Sequence, residues 1–297
     1  MTEPPRAAQD PDMGLDLARD SLARSPRRVG RWRVWRCLER LGGFVGWFAF
    51  AVLRVRREHV IRSLRTAQVE PAQQTARAMY RSLGVSLCEF LGMAVLPPHA
   101  LAARIGLDDD RLLAETRGSI AATAHTANWD LVACAIAGRL PLMVVTKRLS
   151  VGWLDRLWQT MRSGQGLRWT TVGQAVRSGR EVIRAGGVLA MLVDQAPERA
   201  RAVVRCPFLG QTAYVDLAPA LLAQYFRCPL VVVFPLRRVD GTYGLESAGT
   251  LHPPARASRA WAEAAMRQVT ARLEQFVRAH PEQWLWLHRR WKGARVG

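Results

Sequence analysis

The chain has 297 residues, 49% of them hydrophobic, which is long enough to bury a sizeable core. Lys and Arg number 43 against 24 Asp and Glu, a formal charge of +19, and the only lysines are Lys147 and Lys292. The five cysteines, Cys37, Cys88, Cys134, Cys206 and Cys228, are odd in number and form no C-x-x-C, which argues against a disulfide framework or a zinc site and suits a reducing compartment. The Arg excess favours phosphate-rich or acidic partners: nucleic acid, an anionic membrane or an acidic carrier protein. No helix-turn-helix, zinc or RNA-recognition signature accompanies the charge, so nucleic-acid binding rests on charge alone.

In chain order, residues 1–28 are polar and carry Pro4, Pro5, Pro11 and Pro26. They read as a disordered tail without a cleavable signal peptide. Residues 29–98 read as a helical region containing the apolar block "LGGFVGWFAFAVL" at 41–53. A helix of that block spans only about 20 Å against a hydrocarbon core of about 30 Å, too short to cross a bilayer. Arg31, Arg33, Arg36 and Arg40 precede it, Arg54, Arg56 and Arg57 come after it, and Trp32, Trp35 and Trp47 lie among them. That pattern suits an interfacial helix on an anionic leaflet, a membrane-associated segment, with a buried helix as the alternative. Residues 58–96 continue as helix until Pro97-Pro98.

Residues 99–297 read as an α/β domain. "SIAATA" (119–124), "PLMVVTK" (141–147), "LRWTTV", "VLAMLVD" (188–194) and "PLVVVFPLRR" are strands. "NWDLVACAIAG" (128–138), "WLDRLWQTMRSGQG", "QAVRSGREVIRAGG" and "AYVDLAPALLAQYFRC" are helices, and a long C-terminal helix breaks near Pro281. The alternation predicts a mainly parallel central sheet flanked by helices.

Sites in such sheets form beyond the carboxyl ends of strands. His125 falls there, and it is the only histidine with an acid five positions on, Asp130. A carboxylate in the first turn of the helix after Asn128 is favoured by the helix dipole, and it could hold one imidazole nitrogen and leave the other as general base. The same residues also read as a strand end and an ordinary helix-start charge.

"HTANWD" resembles the H-x4-D/E motif of the glycerolipid acyltransferase superfamily, and further segments are similar to its lipid A biosynthesis branch, the lauroyl/myristoyl acyltransferases. These are "VRREHVIRSL" (55–64), "VVTKRLSVGWLDRLWQTMRSGQG", "GGVLAMLVDQAPERARAVVRCPFLGQTA" and "HPEQWLWLHRRWK" (280–292). The resemblance covers about residues 30–292. Ser63 replaces an Asn of that pattern, Asp130 stands where the best-known lipid A enzymes use Glu, and "MLVDQAPER" stands where another branch has an F-P-E-G-T-R-like motif.

The resemblance implies acyl transfer from acyl carrier protein or acyl-CoA to a lipid hydroxyl, of a lipid A precursor or another membrane lipid such as a lysophospholipid. It implies no cofactor, no metal and no acyl-enzyme. The chain would act at the cytoplasmic face of the bacterial inner membrane as a peripheral or monotopic protein in contact with anionic lipids. Within that frame His125 is the base, Asp130 its orienting acid, and Arg162 or the start of the 128–138 helix the oxyanion partner. Asn128, Lys147, Arg148, Asp194 and Gln195 become candidate substrate-binding residues, with Lys147, Arg148 and Arg162 aimed at phosphates of the acceptor or of phosphopantetheine.

Overall fold

The computed structural model describes residues 27–94, 104–105, 110–197 and 202–293. The chain divides into two compact units, 1–37 and 38–297. In the first, the described residues are the opening turns of helix α1 (Arg27–Ala51); the rest of α1 and every other described element belong to the second. The tail expected over 1–28 lies outside the described residues save its last two, and so does Pro97-Pro98.

The helix expected over 58–96 is two helices, α2 (Arg57–Thr66) and α3 (Ala72–Gly92). Gln68 between them takes a left-handed backbone conformation, and Pro71 cannot donate a helical hydrogen bond, so the first helix stops. α1 and α3 cross at glycine. A Cβ on Gly46 would collide with the Tyr80 carbonyl oxygen, and one on Gly84 would collide with the Gly42 oxygen. The backbones touch, which only glycine permits. Among the described residues no helix is long and apolar enough to cross a membrane.

After a short α4 (Asp110–Glu115), β1 (Ser119–Thr123), α5 (Trp129–Ala137), β2 (Leu142–Val145), α6 (Gly152–Gly164), β3 (Arg168–Thr170), α7 (Ala175–Arg184) and β4 (Val188–Leu192) alternate as expected. Asn128 caps α5 by accepting from the Leu131 amide at 3.2 Å. The expected helix "AYVDLAPALLAQYFRC" opens as strand over its first four residues. β5 (Val203–Phe208) and β6 (Gln211–Asp216) form an antiparallel hairpin, and α8 (Ala218–Phe226) begins only after it. Leu209 and Gly210 both have positive φ at the hairpin turn, the geometry a two-residue connection demands. β7 (Leu230–Arg237), β8 (Tyr243–Leu251) and α9 (Arg259–Ala279) complete the chain.

The main sheet has strand order β3-β2-β4-β1-β7-β8, parallel except for β8, which pairs antiparallel to β7. Its two faces differ. Ile120, Ala122, Leu189, Met191, Val232 and Phe234 join a continuous core with Ala220 and Ala223 of α8 and Met266 and Phe276 of α9. On the other face, small and medium side chains beneath α5 leave a cavity. Four of the cysteines are buried and free, as small core residues, while Cys37 is exposed.

A buried ionic cluster fixes the start of α5. Glu89 of α3, fully buried, accepts from Arg104 at 2.8 Å, from the Tyr243 hydroxyl at 2.5 Å and from the Asn128 amide at 3.3 Å. Glu39 of α1 pairs with Arg104 and, at 2.8 Å, with Arg237. A buried carboxylate held by a cation and two further donors costs little to keep charged.

Candidate active site

β1 and β4 are neighbouring parallel strands, with Thr123 opposite Leu192. Two residues further along each lie His125 and Asp194, so the register alone brings them side by side at the carboxyl end of the sheet. His125 Nδ1 lies 2.8 Å from Asp194 Oδ1, and the His125 amide donates to Asp194 Oδ2 at 3.1 Å. Trp284 Nε1 donates to the same Oδ2 at 3.0 Å. Asp194 is thus fully buried and accepts three hydrogen bonds. Burial alone would raise its carboxyl. The charge and hydrogen bond of the His125 imidazole, with a smaller contribution from His288, instead hold it well below the usual carboxylate range.

This corrects the role expected for Asp130. Its carboxylate turns to Arg162, accepting from Nε at 2.8 Å and Nη2 at 2.5 Å, and both side chains are buried. Burial pushes the Asp130 carboxyl up against the opposing pull of Arg162. Arg162 Nη1 donates to Gln159 at 3.3 Å, so its fork is occupied by the protein itself. Asn128 is held by the scaffold: its oxygen caps α5 and its nitrogen donates to the Ser86 carbonyl and to Glu89. Lys147 and Arg148 come directly after β2 and are exposed at the site end of the sheet.

The C-terminal segment closes over the histidine. The Ala127 amide donates to Gln283 O at 2.8 Å, Leu285 N donates to His125 O at 3.1 Å, and Thr126 forms an antiparallel bridge with Trp284. His288 then lies with its ring centroid 4.8 Å from that of His125. The Gln195 amide nitrogen sits between them, 3.4 Å from His125 Nε2 and 3.1 Å from His288 Nε2. An ionised Asp194 accepts only, so His125 Nδ1 carries the hydrogen and Nε2 presents a lone pair toward Gln195. Arg290, buried over the Phe208 ring, donates to the Gln195 and Tyr214 carbonyls; burial lowers its guanidinium to about 10.

Sequence reasoning missed His288 and Trp284 as parts of this site. They lie in the segment "HPEQWLWLHRRWK", whose tryptophans suggest packing or membrane contact from the sequence, and no spacing links them to His125. Among the described residues, His125, Asp194 and His288 form the group that could hold a metal ion, their donor atoms lying within 4.8 Å of one another. The Nδ1–carboxylate bond and the Gln195 amide already satisfy them without one.

Burial and the neighbouring His125 push the His288 imidazole down to about 4 from an ordinary 6.5. As pH falls through that interval, the unfolded chain takes up the proton before the folded one does. Stability conferred by the neutral ring is therefore complete above about pH 6.5 and is lost toward pH 4, by roughly 3 kcal/mol. Urea unfolding of His288→Asn should show a flatter pH dependence over that interval; superimposable wild-type and variant curves would contradict this.

Beside the imidazole, Trp129 packs edge-on to His125 at 4.9 Å between centroids and also lines the cavity beneath α5. The cavity measures about 80 Å³. Its walls include Val144 of β2, Ala190 of β4, Ala121 of β1, Val233 of β7 and Leu245 of β8, with Asp130, Thr146 and Arg162 as its polar residues on the α5 and α6 side. Its lining draws on five strands of the sheet.

A search of curated proteins finds no match to the chain. The profile of the bacterial lipid A biosynthesis acyltransferases matches residues 31–293. That match takes in the His125 loop, the Asp130–Arg162 pair, Asp194-Gln195 and the C-terminal closure together, and the chain belongs to the bacterial lipid A biosynthesis acyltransferase family.

Proposed function

We propose that the protein moves a fatty acyl chain from the thioester of acyl carrier protein, or of coenzyme A, to a hydroxyl of a lipid A precursor or related glycolipid. The observation that carries the reading is an imidazole tied at Nδ1 to a buried carboxylate, with a lone pair at Nε2, beside an apolar cavity. Nε2 takes the proton of the acceptor hydroxyl as its oxygen attacks the thioester carbonyl carbon. The tetrahedral intermediate then collapses, the C–S bond breaks, and the imidazolium returns its proton to the departing sulfur. Gln195 is the group displaced when the hydroxyl enters. No enzyme nucleophile and no acyl-enzyme take part.

The oxyanion needs N–H groups or a cation. Arg162 is engaged by Asp130 and Gln159, which favours the Trp129 and Asp130 amides, the first-turn groups of α5 that the Asn128 cap does not take up. Lys147 and Arg148, exposed at the site end, suit phosphates of the acceptor or of the carrier's phosphopantetheine. The acyl chain enters at the apolar cavity that Trp129 joins to His125. The protein works at the cytoplasmic face of the inner membrane, held by the exposed Leu41, Phe44, Trp47 and Phe48 of α1.

The test is transfer itself, with purified protein, a series of acyl donors of increasing length and lipid A precursor, read by mass spectrometry. Ala190→Leu, which fills the cavity wall, should cut transfer from the longest donors by roughly tenfold or more and spare the shortest. Equal loss at every length would contradict a chain site in the cavity. Absence of any acylated lipid product with wild-type protein would sink the reading.

A further inference from the structure

We propose that α6 and the loop before it form a second membrane-contact element, seated on an anionic bilayer beside the cavity. α6 exposes large apolar side chains while burying charged ones. Its protein-facing side carries Asp155, Gln159 and Arg162, buried beside Met161, while Trp153 and Leu157 point outward at 64% and 43% exposure. Those two are four residues apart and so share one face. Leu149 and Val151 in the preceding loop are also exposed, at 43% and 44%. A surface helix in water keeps its large apolar side chains against the core, and Trp153 and Leu157 are not so placed. A lipid surface would cover them.

The loop is braced in this pose, because the Leu149 amide donates to Asp155 Oδ1 at 3.0 Å. The inward charge of Arg162 is neutralised by Asp130, and Gln159 accepts a further hydrogen bond from it.

The patch continues to α1. Phe90 of α3 stacks on Trp158 of α6 at 4.1 Å, and Gly84 of α3 packs on α1. At about 100° per residue, Leu87 falls midway between those two contact directions, and it is exposed, as is Leu91. A strip of outward apolar side chains therefore runs from α1 over α3 to α6. Arg148 and Arg156, both exposed, sit within its α6 end. Trp, Leu and Arg together on one surface match a lipid interface bearing negative headgroups. Thr146 and Arg162, at either end of this element, line the cavity, so its mouth would meet the membrane that supplies the lipid acceptor.

This inference rests on the proposed membrane placement of α1 and fails separately from it. The full chain is sedimented with vesicles of phosphatidylglycerol in phosphatidylcholine and with vesicles of phosphatidylcholine alone. Trp153→Ser/Leu157→Ser should lower partition onto the anionic vesicles by roughly tenfold or more, with thermal unfolding unchanged. Phe44→Ser/Phe48→Ser, on α1, serves as the comparison. Wild-type binding by the α6 variant alongside loss in the α1 variant would overturn the α6 element and leave the membrane placement standing. No binding of the wild-type chain would overturn both. Equal binding to neutral vesicles would overturn the anionic preference. A wild-type dimer that the α6 variant converts to monomer would make the occupant a second copy of the chain and overturn the proposal.

Discussion

Asp194→Asn is expected to lower kcat by roughly a thousandfold or more while leaving KM and the unfolding temperature close to wild type. The reason lies in the three donors that converge on this carboxylate, His125 N, His125 Nδ1 and Trp284 Nε1. An asparagine has one oxygen to offer. It satisfies two of these donors only by occupying the Oδ2 position, and its NH2 then faces Nδ1. That NH2 forces Nδ1 to accept, which moves the imidazole hydrogen to Nε2 and removes the lone pair needed for proton abstraction. The side chain keeps its size, so packing survives. Steady-state kinetics with a calorimetric scan reads both effects; wild-type kcat in a folded Asp194→Asn protein would remove Asp194 from the mechanism.

Asp130→Ala is expected to act on stability. Its carboxylate is the charge partner of Arg162, and both are buried. Removing one member of such a pair leaves the other charge uncompensated, at a cost of about 3–5 kcal/mol. For a chain of this size that corresponds to a fall in unfolding temperature on the order of 10 °C. Asp130→Ala/Arg162→Met, which removes both charges, should recover much of the loss. A single variant that unfolds at the wild-type temperature would show that the pair carries no such load.

These two residues also mark the limit of what the sequence discloses. Asp130 is close to His125 along the chain, and a helix-start carboxylate shortly after a strand-end histidine is a sound local pattern. What it omits is the neighbour across the sheet. Asp194 reaches His125 because β1 and β4 pair in register, and pairing between strands about seventy residues apart leaves no trace in periodicity or spacing. The strand–helix alternation, the Asn128 cap and the place of His125 at a strand end were legible, since each is set by a few adjacent residues. The β5–β6 hairpin was not, because "QTAYVD" runs without a break into helix-forming residues and only its partner strand makes it extended. Nor was the burial of charged residues on α6. The inward Asp155 and Arg162 are acceptable only through partners elsewhere in the chain, the Leu149 amide for Asp155 and Asp130 for Arg162. The closure of the C-terminal segment on His125 was equally hidden: the tryptophans that suggest packing or membrane contact include Trp284, which binds Asp194 directly.

All of the proposed chemistry passes through one nitrogen, Nε2 of His125. The most direct measurement is acyl transfer by His125→Ala with purified acyl donor and lipid acceptor, beside a check that the protein unfolds at the wild-type temperature. The account predicts a folded protein whose transfer rate has fallen by roughly a thousandfold or more. A folded His125→Ala protein that transfers acyl chains at the wild-type rate would contradict it.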